Sequence, residues 1–194
     1  MHKVSFEPTP NPRTYRFRLP QTGLSQSVTF HSPQETLSSP LAKKIFSFPW
    51  VDSIMLGPDF MTITKHDWVE WELLAEPLTH LIQEHLDLGI PVYENNSQLS
   101  PNEGAHPKDK SNTMESASPE WQEIDQVIQR DIRPILALDG GDIQLMKLED
   151  QVLYVKLQGA CVGCPGTQIT LKEGIEARLK EVFPYLKRVE LMPD

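Results

Sequence analysis

Two small α+β domains joined by a flexible linker are what this sequence predicts, on three observations. Residues 93–118, which run Tyr-Glu-Asn-Asn-Ser-Gln-Leu-Ser-Pro-Asn-Glu-Gly-Ala-His-Pro-Lys-Asp-Lys-Ser-Asn-Thr-Met-Glu-Ser-Ala-Ser, offer almost nothing to bury. Such a segment cannot offset its own ordering entropy, so it is expected to tether residues 1–92 to residues 119–194. On both sides of it, short runs of period two alternate with apolar stripes at helical spacing. After the linker the elements read in the order αββαβ.

In the first domain, Lys3 to Phe6, Thr14 to Leu19 and Ser27 to Phe30 are β-like runs, broken by Thr9-Pro10-Asn11-Pro12 and Gln21-Thr22-Gly23. Ser39 followed by Pro40 makes a helix cap and first turn, with Leu41, Lys44, Ile45 and Phe48 at helical spacing. Val51 to Leu56 and Phe60 to Lys65, joined by Gly57-Pro58-Asp59, read as a hairpin. Asp67 then opens a long helix whose apolar stripe is Trp68, Trp71, Leu74, Ala75, Leu78, Leu81, Ile82 and Leu86, so both tryptophans are expected in the core.

In the second domain, Ser118-Pro119 starts a helix bearing Trp121, Ile124, Val127, Ile128, Ile132 and Ile135, with Pro134 kinking its end. Asp139-Gly140-Gly141-Asp142 is a helix exit that needs positive φ. Ile143 to Leu148 and Val152 to Leu157 pair around Glu149-Asp150. A helix from Pro165 to Phe183 is expected to bury Ile169, Ile175, Leu179 and Val182, and residues 187–192 form a last strand.

The formal net charge is -9, and both halves are acidic. The attraction that dominates nucleic-acid affinity is therefore missing, and an anionic membrane is an equally poor partner. No apolar run approaches the ~18 residues that span a bilayer. Met1-His2-Lys3 leads into Val4-Ser5-Phe6-Glu7-Pro8 and not into a signal-peptide core, so a soluble protein in a reducing compartment is expected. The lack of a basic, serine-rich presequence points to a bacterial cytoplasm ahead of a processed protein of the mitochondrial matrix.

Only two cysteines occur, Cys161 and Cys164, in Gly159-Ala160-Cys161-Val162-Gly163-Cys164-Pro165-Gly166. The small residues around them let backbone amides approach whatever the thiolates hold. Pro165 suits a first helical position, which places Cys164 at or beside the N-cap, where the helix dipole favours a thiolate. Lys156 and Lys172 are the nearest bases, so backbone groups must supply most of the local positive potential.

A tetrahedral zinc or an iron-sulfur cluster takes about four protein ligands, and this loop supplies two. All six histidines precede Trp121, so none completes the site from within the second domain. Asp139, Asp142, Glu149 and Asp150 are hard donors that suit turns and a solvated edge. His80 and His85 stand five apart, off the i, i+4 face of a metal pair. A c-type haem would need histidine where Pro165 stands. Two chains facing each other across a two-fold axis would supply four thiolates, the complement of a 4Fe-4S cluster, in an exposed site from which the cluster can leave. Four thiolates equally serve a 2Fe-2S cluster or a zinc bridging two chains. A dithiol/disulfide couple, or two small core residues, are the other readings of the pair.

Several linked segments resemble one family. Ile132-Arg133-Pro134, Asp139-Gly140-Gly141-Asp142, Gly159-Ala160-Cys161-Val162-Gly163-Cys164-Pro165 and Thr170-Leu171-Lys172-Glu173-Gly174-Ile175-Glu176 resemble the NifU C-terminal-like domain of Nfu iron-sulfur cluster scaffold and carrier proteins. Glu7-Pro8-Thr9-Pro10-Asn11-Pro12, Ser39-Pro40-Leu41-Ala42 and Gly57-Pro58-Asp59-Phe60-Met61-Thr62-Ile63-Thr64-Lys65 are similar to the Nfu N-terminal domain. The resemblance implies a non-enzymatic carrier whose Cys161 and Cys164 ligate a 4Fe-4S cluster shared by a homodimer. It further implies an upstream cluster donor, apo iron-sulfur client proteins, and an N-terminal domain that docks clients. Pro165-Gly166-Thr167-Gln168 departs from the family's hydroxyl-rich turn, which bears on capping and cluster lability and leaves both cysteines in place.

Overall fold

A computed structural model of the chain describes residues 3–94, 118–162 and 165–192. The chain forms two compact units, Met1–Leu99 and Ser100–Asp194. Apart from Tyr93, Glu94 and Ser118, the segment read as a linker lies outside the described residues. Among the described residues no helix is long and apolar enough to cross a membrane.

The first unit contains β1 (Ser5–Pro8), β2 (Thr14–Arg18), β3 (Val28–Phe30), a 3-10 turn (Pro33–Ser38), α1 (Pro40–Ile45), β4 (Val51–Leu56), β5 (Phe60–Lys65) and α2 (Trp71–Asp87). Its strands make one antiparallel sheet in the order β1-β2-β5-β4-β3. The first strand lies two residues later than the alternation predicted and ends on Pro8. An edge strand tolerates that proline because a missing N–H there breaks no ladder bond. In the β4–β5 hairpin, a side chain on Gly57 would run into the Phe60 ring, and the Thr22 hydroxyl donates to the Gly57 carbonyl at 2.7 Å. Ser39 caps α1 by accepting from Ala42 N at 3.1 Å, and it donates to the Val92 carbonyl at 2.7 Å. Leu41, Ile45, Leu78 and Ile82 share one buried core with Phe17, Ile54, Met61 and Ile63, and Tyr15 stacks on Trp71 at 4.4 Å.

One expectation in this unit fails. The long helix starts at Trp71, not at Asp67, and Trp68 is 66% exposed. Asp67 lies 3.2 Å from Arg13 Nε, and residues 67–69 form a turn. The helical stripe therefore runs Trp71, Ala75, Leu78, Ile82 and His85, and Trp68 precedes the helix that would have turned it inward.

In the second unit, α3 (Pro119–Val127) is capped by Ser118, which accepts from Trp121 N at 3.2 Å. A π turn (Ile128–Ile132) leads into α4 (Arg133–Leu138), followed by β6 (Gly141–Glu149), β7 (Val152–Gly159), α5 (Pro165–Val182) and β8 (Arg188–Leu191). This is the expected αββαβ order, with β6 antiparallel and β8 parallel to β7. Asp150 and Gln151 both take positive φ, 51° and 65°, as a two-residue hairpin loop of the right twist requires.

Two stripes in this unit differ from the expected ones. Ile135 is 60% exposed, and Leu136 is buried in its place. The wider π turn carries the buried run Ile124, Ile128, Ile132, Leu136 at steps of four, ahead of the 3.6 period. On α5, Ile169 (62% exposed) and Val182 face outward, and the inward run is Leu171, Ile175, Leu179 and Phe183.

Glu176 ties α5 to the last strand, accepting from Val189 N at 2.9 Å and from Lys180 Nζ. The Lys180 hydrogen bond, then that of Val189, hold its carboxyl below the ordinary value of 4.5. A depressed folded value means that the contribution is complete above the unfolded value and is lost as pH falls through the folded one. Glu176→Gln is thus expected to cost about 1 kcal/mol at neutral pH. Its difference from wild type should shrink on acidification below 4.5, as read from urea midpoints at each pH.

Candidate functional site

The cysteine loop grows from the end of β7. Gly159 takes φ 66°, which turns the chain out of the strand, and Gly140 takes φ 74° at the helix exit, as expected there. Gly159 pairs with Gly141 of β6 in the sheet register. Ala160 N donates to the Gly140 carbonyl at 3.0 Å and Val162 N to the Gly159 carbonyl at 3.1 Å. The first bond fastens the loop to the turn between α4 and β6, and the second closes the loop on itself. They also occupy two amides that the loop's composition suggested were available to a metal-bound sulfur.

Cys161 is 2% exposed and belongs to the core that includes Ile143, Leu157 and Ile175. An exposed pair of thiols was expected, so this is a correction. The turn at Gly159 and the two loop bonds carry the side chain back over the sheet end, where its Sγ lies against Gly141. Cys164, the second expected ligand, lies outside the described residues together with Gly163. The helix that follows does begin at Pro165.

The remaining candidates have structural explanations. Lys172 Nζ sits 3.1 Å from Glu190 Oε2 and so is engaged by a carboxylate. Asp142 is not on a solvated edge. It is buried, accepts from Ile143 N at 2.7 Å, and lies 3.5 Å from Arg133 Nε, while Arg133 also donates to the Ile143 carbonyl at 3.3 Å. Arg133 thereby binds α4 to the strand beside the cysteine loop. Its position in Ile132-Arg133-Pro134 was visible in the sequence, but its carboxylate partner nine residues on was not. His85 is buried with Nε2 3.2 Å from the Pro91 carbonyl, which leaves it a packing role. Among the described residues, no three His, Cys, Asp or Glu side chains converge to hold a metal ion.

Comparison with known proteins agrees with this architecture unit by unit. The model for the "Scaffold protein Nfu/NifU N terminal" family matches residues 4–89, and that for the "NifU-like domain" matches residues 124–190. A mitochondrial NFU1 iron-sulfur cluster scaffold homolog from Drosophila sechellia is 31% identical over 98% of this chain, which spans 65% of that relative's length. The Homo sapiens protein of the same name is 31% identical over 98% of this chain and 72% of its own length. A NifU-like protein of Schizosaccharomyces pombe is 35% identical over 96% of this chain and 71% of its own. Similarity of this extent, covering both units and the sequence between them, shows that the chain belongs to the Nfu family of NifU-like scaffold proteins.

Proposed function

We propose that the chain is an iron-sulfur cluster carrier and not an enzyme. Two copies hold one 4Fe-4S cluster through Cys161 and Cys164 of each, and the cluster passes to apo client proteins as client thiolates replace the carrier's own. The observation that carries this reading is that a member of a scaffold family has two cysteines in all, three positions apart, where a cluster needs four thiolates. The cluster is cargo. Residues 119–194 are the cluster-bearing part and residues 1–92 the part that docks clients, with residues 93–118 as the tether between them. Relatives named as mitochondrial support the mitochondrial alternative over a bacterial cytoplasm.

Anaerobic reconstitution with iron and sulfide tests the reading, followed by absorption and Mössbauer spectra, iron and sulfide analysis, and mass in solution. The expected product is a coloured dimer with four irons and four sulfides, about two irons per chain. A colourless, iron-free monomer would sink the proposal. A 2Fe-2S spectrum would correct the cluster type, bound zinc would favour a structural bridge, and turnover in an insulin-reduction assay would favour a dithiol oxidoreductase.

A further inference from the structure

Asp139-Gly140-Gly141-Asp142 spends two glycines on a turn whose backbone needs one. Gly140 has φ 74°, in the left-handed region that favours glycine. Gly141 is the first residue of β6, in ladder register with Gly159, and is not among the positive-φ residues. Space sets the residue type there. A methyl group on Gly141 would overlap the Cys161 sulfur, and it would sit 3.2 Å from both Cys161 Cβ and the Gln158 carbonyl oxygen. The buried thiol thus rests on bare backbone.

We propose that Gly141 is a positioning residue for Cys161: its missing side chain forms a seat that keeps the thiol inside the cluster-free chain, and loading draws the thiol off that seat. The second half rests on the ligand reading above, and the first half does not. A sulfur enclosed by its own chain's core cannot touch a cluster that it must share with a second chain. Ligation therefore requires the loop beyond Gly159 to carry Cys161 outward. While seated, the thiol is out of reach of oxidants and of disulfide exchange, both of which need access to the sulfur. An empty carrier thereby protects one of its own ligands.

The test uses the full, reduced, cluster-free chain. A pulse of N-ethylmaleimide followed by peptide mass analysis gives the Cys161 labelling rate, native against urea-unfolded. In the wild type, native labelling is expected at least about tenfold slower than unfolded, because it waits on local opening. In Gly141→Ala the native rate should rise several-fold. Far-UV circular dichroism shows whether that variant is folded, and a double variant separates loss of the seat from general damage. With the sulfur removed, only the two 3.2 Å approaches remain. The melting penalty of Gly141→Ala should accordingly be several degrees in the wild-type background and much smaller in Cys161→Ala.

Wild-type Cys161 reacting at its unfolded rate overturns the seat, as does an equal melting penalty with and without the sulfur. A folded Gly141→Ala chain is expected to gain cluster absorbance at least as fast as wild type, and slower gain overturns the release step. If wild type gains no cluster at all, the carrier reading fails, while the labelling and melting results still decide the seat.

Discussion

A chain carrying Cys164→Ala is expected to leave anaerobic reconstitution without a cluster, and Cys161→Ala is expected to do the same. In a site shared by two identical chains, one substitution removes two of four ligands, so the effect is not a partial weakening. Iron should fall from about two per chain to background, sulfide with it, and the mass in solution should stay that of one chain. Cys161→Ala also removes a buried sulfur, which costs about 1 kcal/mol and leaves the far-UV spectrum native. A variant as strongly coloured as wild type would exclude its cysteine as a ligand.

Leu179→Ala should be among the most damaging single changes to the second unit. Leu179 is fully buried on α5, in a core with Ile175, Phe183, Leu153 and Val155. Truncating such a residue costs about 2–5 kcal/mol, and a unit of this size has roughly 5–10 kcal/mol in total. Because each unit has its own core, the loss should be confined. Hydrogen exchange read by mass should show lost protection in β6 and β7 and unchanged protection in β4 and β5. Equal loss in both sheets would contradict independent cores.

Elements set by local chemistry were legible in the sequence. The β4–β5 hairpin, the Ser39 and Ser118 caps and the start of α5 at Pro165 all follow from turn and capping residues that act within a few positions. The αββαβ order was legible for the same reason. The misreadings share a different cause. Trp68 and Ile135 belong to stripes that periodicity alone extends, and a stripe cannot reveal where a helix starts late or where a π turn shifts its phase. At the site, the identity of Cys161 as a candidate was plain, but its burial was not. That depends on Gly140 and Gly141, some twenty positions upstream, which meet the loop only when β6 and β7 pair.

The parallel partner of β7 has a consequence for biosynthesis. The β6–β7 hairpin can close as soon as β7 has left the ribosome, whereas β8 reaches β7 only after the eighteen residues of α5 have been made and folded. Non-local parallel pairing of this kind is slow to form. The cysteine loop therefore leaves the ribosome before the helix and strand that complete the core around Cys161. During that interval the nascent chain presents the Cys161 thiol without its native shelter, and completion of the last strand ends it.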